Sequence, residues 1–208
     1  MASLFKPFAV SRKLTFVASH PMSVAAFLLP HVRALQEIAS IQVLANTHER
    51  VLLKQNGTGI IIDPIPICRA IAPWKDAMGL WLLYCHLLRE CPLAVHTITP
   101  KAGLLGMAAA WLARVPIRVH TFTGQVWVNR SGPMRWLLKT ADRCTAIMAT
   151  EVLVDSPSQR DFLIEQGVVT AKRSSVLGPG SICGVNTQRF YPSDHARKEV
   201  RNELGTAM

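Results

Sequence analysis

VHTITPKAGLLGMAAAWLARVPIRVHTFTG, residues 95–124, reads as a strand end, a loop, a compact apolar helix, a second strand and a second loop. The first apolar run ends in the polar cluster His96, Thr97, Thr99 and Lys101. The second ends in His120, Thr121, Thr123 and Gly124. In a parallel α/β sheet, ligands bind in the loops beyond the carboxyl ends of the strands. One helix between two such loops sets both on the same sheet edge, so this pair is the expected centre of function.

The same alternation continues on both sides. Residues 13–19, KLTFVAS, form an expected strand, followed by the loop HPMSV. That loop has no glycine, so the dinucleotide-binding fingerprint is absent. Apolar positions 24, 28, 32, 35 and 38 predict a helix over 24–39. Strands follow at 41–46 and 57–63, the latter stopped by Pro64 and Pro66. A helix over 73–89 opens on Pro73, and its aromatic side (Trp74, Trp81, Tyr84) is expected in the core. Strands at 93–97 and 116–121 flank the central helix. A longer helix over 131–150 carries an expected inward stripe of Met134, Leu137, Leu138, Ala141, Thr145 and Met148. Beyond it come a strand at 152–156, a helix with a Ser/Pro start and a glycine stop, and a strand at 174–177. The repeated β-α-β order predicts an α/β, doubly wound, Rossmann-like parallel sheet.

A chain of 208 residues, half of them hydrophobic, can build one domain with a substantial core. Its best apolar run, 102–113, is bounded by Lys101 and Arg114 and is too short to cross a bilayer. Arg12 and Lys13 interrupt the N-terminal apolar residues, unlike a signal peptide. The five cysteines (68, 85, 91, 144, 183) show no CxxC pair and no metal-ligand spacing. They read as reduced, mostly buried thiols of a cytoplasmic protein, with no metal site. The net charge is +10, and residues 96–150 hold seven basic side chains against one acidic. Such concentration implies an anionic partner or a solubilising face. On the 131–150 helix Arg135, Lys139 and Arg143 recur every four residues, flanked by Trp127 and Trp136. Arg135, Lys139, Arg143 and Trp136 are therefore candidates to face an anionic membrane surface, a solvated helix face being the alternative. No interleaved aromatic-basic motif points to nucleic acid.

Four phrases, VHTITPKAGLLG, VPIRVHTFTGQVW, VDSPSQRDFLIEQGVV and VLGPGSICGVNTQRFYP, stand in this order along the chain. Together they resemble the N-terminal half of a family 4 glycosyltransferase of the bacterial capsule, exopolysaccharide or O-antigen type. The resemblance implies a GT-B architecture, in which two Rossmann-like domains face a cleft. The N-terminal domain receives the acceptor, the C-terminal one binds the nucleotide sugar, and transfer retains configuration. Residues 1–12 read as a leader; the resemblance, from about Lys13 onward, implies an acceptor domain at 13–190, and at 191–208 a linker with the start of a truncated second domain. No cofactor is implied, a nucleotide sugar being the donor substrate of the complete enzyme.

The implied partners are a glycan or polyprenyl-diphosphate-linked acceptor and a separate donor-domain chain, with the protein cytoplasmic and peripheral on the inner face of the membrane. A non-catalytic basic domain that binds anionic lipid or a donor-domain subunit is the alternative. By resemblance, His120 is the catalytic candidate. His96, Thr99, Lys101, Gly103, Thr123, Gly124, Gly180, Gly184 and Asn186 are the substrate-binding candidates. Retaining transfer needs no strong protein base, because the leaving phosphate can take the acceptor proton, and preorganised donors stabilise the departing charge. The sequence departs from the family pattern at Thr123, where relatives often have histidine, at Ile98 after His96-Thr97, and at Pro179 and Asn186.

Overall fold

The structure, a computed structural model, describes residues 13–55, 58–68, 70–185, 187–188 and 190–206. The expected leader and Asn186 lie outside the described residues. The strands are β1 (Lys13–Ala18), β2 (Ser40–Ala45), β3 (Val51–Gln55), β4 (Thr58–Pro64), β5 (Ala94–Ile98), β6 (Ile117–Phe122), β7 (Glu151–Val154) and β8 (Ser174–Val176). They form one sheet in the order β3-β4-β2-β1-β5-β6-β7-β8, parallel throughout except for the β3–β4 edge hairpin. The doubly wound parallel sheet is therefore present. Strand order reverses between β1 and β5, the place where such sheets open a ligand crevice.

The antiparallel β3 is an addition to the expected strands. Asn56-Gly57 is the sequence signal of a two-residue hairpin, and the register pairs Gln55 with Thr58 across it.

One sheet face carries a helical run made of α1 (Pro21–Ser23), a π-helical stretch Val24–Leu28, and α2 (Leu29–Gln36). The run starts earlier than the apolar period indicated, because the His20 side chain caps it, accepting from Met22 N at 3.1 Å. Pro30 has no N–H to give the carbonyl four residues back, and just before it the helix widens, Leu29 N bonding Val24 O. This run covers Phe16, Val43 and Ile62.

The other face carries α3 (Pro73–Glu90), α4 (Pro100–Leu112) and α5 (Gly132–Met148) side by side, then α6 (Pro157–Glu165). α4 is apolar on every side because sheet and helices enclose it, and its only exposed positions are Trp111 and Leu112. Glycines allow that closeness: a Cβ at Gly106 would lie 2.5 Å from Thr97 Cγ2. A last helix, α7 (Asp194–Glu203), has no buried residue.

Three expectations are corrected. α3 turns Gly79, Leu83 and Leu87 to the core, so Trp74 and Trp81 point away, 90% and 63% exposed. α5 buries Asp142, Thr145 and Ala146, leaving Met134 and Leu137 about half exposed. None of the cysteines is fully buried; all are free thiols, with Cys91 and Cys144 exposed.

Candidate functional site

The strand ends meet as expected, but the two clusters serve different faces of the sheet. The register sets Thr97 beside His120 and Ile98 beside Thr121. His120 points under α4: its Nδ1 lies 2.8 Å from Thr97 Oγ1, and its ring meets Phe122 edge-on at 4.5 Å. It is 1% exposed, and burial, helped by His96, lowers its pKa to about 3. This ring touches no open surface; His120, the catalytic candidate of the sequence, is here a packed imidazole beneath Gly103.

His96 faces the opposite way, toward Phe16 and α2. Its Nε2 lies 2.8 Å from Thr121 Oγ1, and burial lowers its pKa to about 4, with the His31 charge adding to the shift. Together with His31, Leu153, Leu177, Gly180 and Ile182, these residues line a small pocket.

Just after β5, Thr99 holds a φ of +76°, a strained value for a β-branched residue. Ser19 secures it: the two hydroxyls lie 2.7 Å apart, Ser19 N donates to Thr99 Oγ1 at 3.2 Å, and Ala102 N donates to Ser19 Oγ at 3.3 Å. The ends of β1 and β5 are thereby joined at the start of α4.

Lys101 does not point at a free anion position. Its ammonium pairs with Asp76 at 2.6 Å and donates to the Ala70 carbonyl, binding the start of α4 to that of α3. Thr123 and Gly124 lie half-buried after β6. Next to them Gln125 has a buried Nε2 without a partner among the described residues.

The loop after β8 folds back onto Asp155. Its Oδ1 accepts from Ile182 N and its carbonyl from Ser181 N, both at 2.7 Å. Gly180 has φ +105°, and a Cβ there would stand 2.8 Å from the Asp155 carbonyl, so only glycine fits. Gly184 is exposed. His31 Nε2–H donates to the Ile182 carbonyl, so that residue is held at both its N–H and its C=O. Ser19, His31, Gln125 and Asp155 are site residues that local sequence reasoning missed, since their partners lie far away along the chain.

The cations of α5, candidates for a membrane face, make contacts within the fold. The Arg135 and Lys139 cations sit 5.4 and 5.3 Å from the centre of the buried Trp127 ring. Lys139 also donates to Gln166 Oε1, and Arg143 to the Gly167 and Gln166 carbonyls. These charges hold the loop after β6 and the end of α6, leaving Trp136 exposed beside them. Arg118 likewise donates to the Met148 and Val115 carbonyls at 2.6 Å. Much of the local positive excess thus binds the fold's own carbonyl groups.

Chemically, the pocket sets two imidazoles and the Thr121 hydroxyl among the apolar side chains of Leu153, Val154, Leu177 and Ile182. Among the described residues no cluster of three His, Cys, Asp or Glu could hold a metal ion.

The two buried imidazoles set a pH dependence. Their folded pKa values lie below the unfolded value of 6.5. Their contribution is therefore complete above pH 6.5 and is lost as the pH falls toward 4. Urea midpoints should decline between pH 6.5 and 5, by about 1–3 kcal/mol of stability. His96→Asn should flatten that decline, and an equal slope in parent and variant would exclude the assignment for His96.

A model of the glycosyl transferase 4-like domain matches residues 23–180. The chain is 29% identical, over 69% of its length and 38% of the relative's, to the capsular polysaccharide biosynthesis glycosyltransferase CapM of Staphylococcus aureus. It is 31% identical, over 61% of its length and 32% of the relative's, to an Escherichia coli UDP-Gal:α-D-GlcNAc-diphosphoundecaprenol α-1,3-galactosyltransferase. Among solved structures, sucrose-phosphate synthase of Thermosynechococcus elongatus superposes with a TM-score of 0.62 at 16% identity, over 91% of this chain and 52% of that one. The UDP-N-acetylglucosamine 2-epimerase of Rickettsia bellii gives 0.64 at 13% identity, over 94% and 51%. The chain therefore spans less than two-fifths of these curated relatives and about half of these folds.

Proposed function

Because this chain belongs to the glycosyl transferase 4-like family, we propose that it is the acceptor-binding half of a retaining glycosyltransferase. The complete enzyme moves a sugar from a nucleotide sugar to a lipid-linked or polysaccharide acceptor. The observation that carries this reading is the pocket formed by His31, His96, Thr121 and Ile182 on the ligand-binding edge of the sheet. Its two imidazoles are fixed, His31 by the Ile182 carbonyl and His96 by the Thr121 hydroxyl.

In this reading His96, Thr99 and Thr121 contact the acceptor, with Thr123, Gly124 and the Gly180–Gly184 loop as its border. His120 is a positioning residue that sets the height of α4. Lys101 holds the α3–α4 seam and becomes available to a diphosphate only by leaving Asp76. The donor side is supplied by residues or a chain beyond those described, since the matched relatives are much longer. Cytoplasmic, peripheral attachment to a membrane belongs to the same proposal, for the lipid-linked acceptor lies there.

The test uses a short-chain polyprenyl-diphosphate-GlcNAc, the acceptor type printed in the name of the E. coli relative. This chain alone should bind it in calorimetry, weaken at least about tenfold on His96→Ala, the equivalent of 1.4 kcal/mol, and show no turnover with a panel of nucleotide sugars. Absence of binding would sink the acceptor reading. Turnover by this chain alone would overturn the need for a separate donor half.

A further inference from the structure

We propose that the outer side of α3, with the end of α4, is a seat for an anionic lipid bilayer surface. This names the surface for the peripheral attachment proposed above. Trp74, Met78, Trp81 and Leu88 recur at helical spacing along α3 and are 90%, 52%, 63% and 48% exposed. Beside them Trp111 and Leu112 close α4 at 55% and 50% exposed. α3 and α4 pack side by side with their N-termini joined by the Lys101–Asp76 pair. The exposed apolar side chains therefore run along α3 and are joined by the last two residues of α4. Exposed large apolar side chains grouped in this way mark an interaction surface.

Three features select lipid over another occupant. Three of the chain's five tryptophans stand in it, and indole is the side chain that prefers the headgroup boundary. Its rim is cationic: Lys75, Arg89 and Arg114 are exposed. Among the described residues it has no free acid, because Asp76 is paired with Lys101, Glu90 is paired with Lys13, and α4 carries none. A second copy of the chain would set one cationic rim against another with no acid to answer it. Finally, no described helix is long and apolar enough to cross a membrane, so the ridge lies on the surface. The α5 cations are engaged with Trp127 and the end of α6, whereas Lys75, Arg89 and Arg114 are exposed beside this ridge. Trp74 lies in the first turn of α3, two residues before the Asp76 that pairs with Lys101 at the start of α4, so a seated ridge brings that edge toward the headgroups.

The experiment is vesicle co-sedimentation of the full chain with phosphatidylcholine alone and with about 30% phosphatidylglycerol, a content that supplies a negative surface. Binding is expected to the anionic vesicles, with tryptophan emission shifted to the blue. Trp74→Ser/Trp81→Ser should reduce the partition coefficient at least about tenfold, since two indoles leave the interface. Both positions are solvent-exposed, so the melting temperature should hold. Arg135→Gln/Lys139→Gln should retain binding. Loss of binding in that pair, but not in the tryptophan pair, would overturn the ridge while keeping peripheral attachment. No sedimentation of the parent would overturn both. A parent that is dimeric in solution and becomes monomeric in the tryptophan variant would overturn lipid in favour of self-association. Acceptor binding by the short-chain probe is read without any bilayer, so the acceptor reading stands or falls separately.

Discussion

Gly103→Val lowers stability by about 3 kcal/mol, the upper end for inserting methyl groups into a packed site. Gly103 lies on α4 directly above the His120 ring. A Cβ built there would stand 2.9 Å from Nδ1 and 3.2 Å from Nε2, and closer still to Cε1. The ring cannot yield, because Thr97 holds it on one side and Phe122 on the other. Valine adds two further methyl groups to that conflict and restricts χ1 on the helix. Alanine at the same position gains about 1 kcal/mol of helix propensity and so separates the clash from the propensity. Denaturant midpoints of Gly103→Ala, His120→Ala and the double variant should be non-additive by at least about 1 kcal/mol, the double variant being less damaged than the sum. Simple additivity, or an unchanged midpoint for Gly103→Val, would mean that α4 does not rest on His120.

Trp127→Ala is the second large loss, about 4–5 kcal/mol for a fully buried indole together with its stranded partner. The ring stacks on Phe162 at 5.7 Å and donates from Nε1 to Asp142 Oδ2 at 2.7 Å. Without it Asp142 remains buried with no donor, and Arg135 and Lys139 lose the aromatic face beneath them. Burial already raises the Asp142 pKa to about 6 despite the indole donor. A raised carboxyl contributes stability that is complete below about pH 4 and is lost as the pH rises toward 6. Asp142→Asn keeps an acceptor for the indole and cannot ionise, so above pH 6 it should be at least as stable as the parent. Thermal unfolding at pH 7 decides both: a melting temperature for Trp127→Ala within about 2 °C of the parent, under 1 kcal/mol for a chain this size, would contradict the buried role.

Element type and order were readable because each apolar run ends in a residue with its own local physics. Pro64 and Pro66 stop one strand, Pro73 and Pro100 open helices, and Ser156 caps α6 by accepting from Gln159 N at 3.1 Å. The side each helix turns inward was harder. Trp74 and Trp81 have core spacing, but so do Gly79, Leu83 and Leu87, and periodicity does not say which row meets the sheet. The row Arg135, Lys139 and Arg143 looked solvated or membrane-facing, while its targets are an indole and backbone carbonyls contributed by other segments. The site shows the same limit. His96 and Thr99 stood out at strand ends, whereas their partners Thr121 and Ser19 come from other strands. Which of His96 and His120 opens to the pocket depends on strand alternation relative to α4, and Gly103 was the residue that carried this information.

The all-round apolar character of α4 also bears on how the chain folds. A helix without a polar side gains nothing from forming alone in water, since isolated short helices are marginal and most helical stability comes from packing. α4 can persist only once β5, β6, α3 and α5 have closed around it. Opening any of these neighbours exposes the sequence LLGMAAAWL, so partial unfolding in the centre of the domain is strongly opposed. The central β-α-β unit is thus the cooperative unit of the domain, opening only with the global transition, while the edge strand β3 and the unburied α7 open more easily.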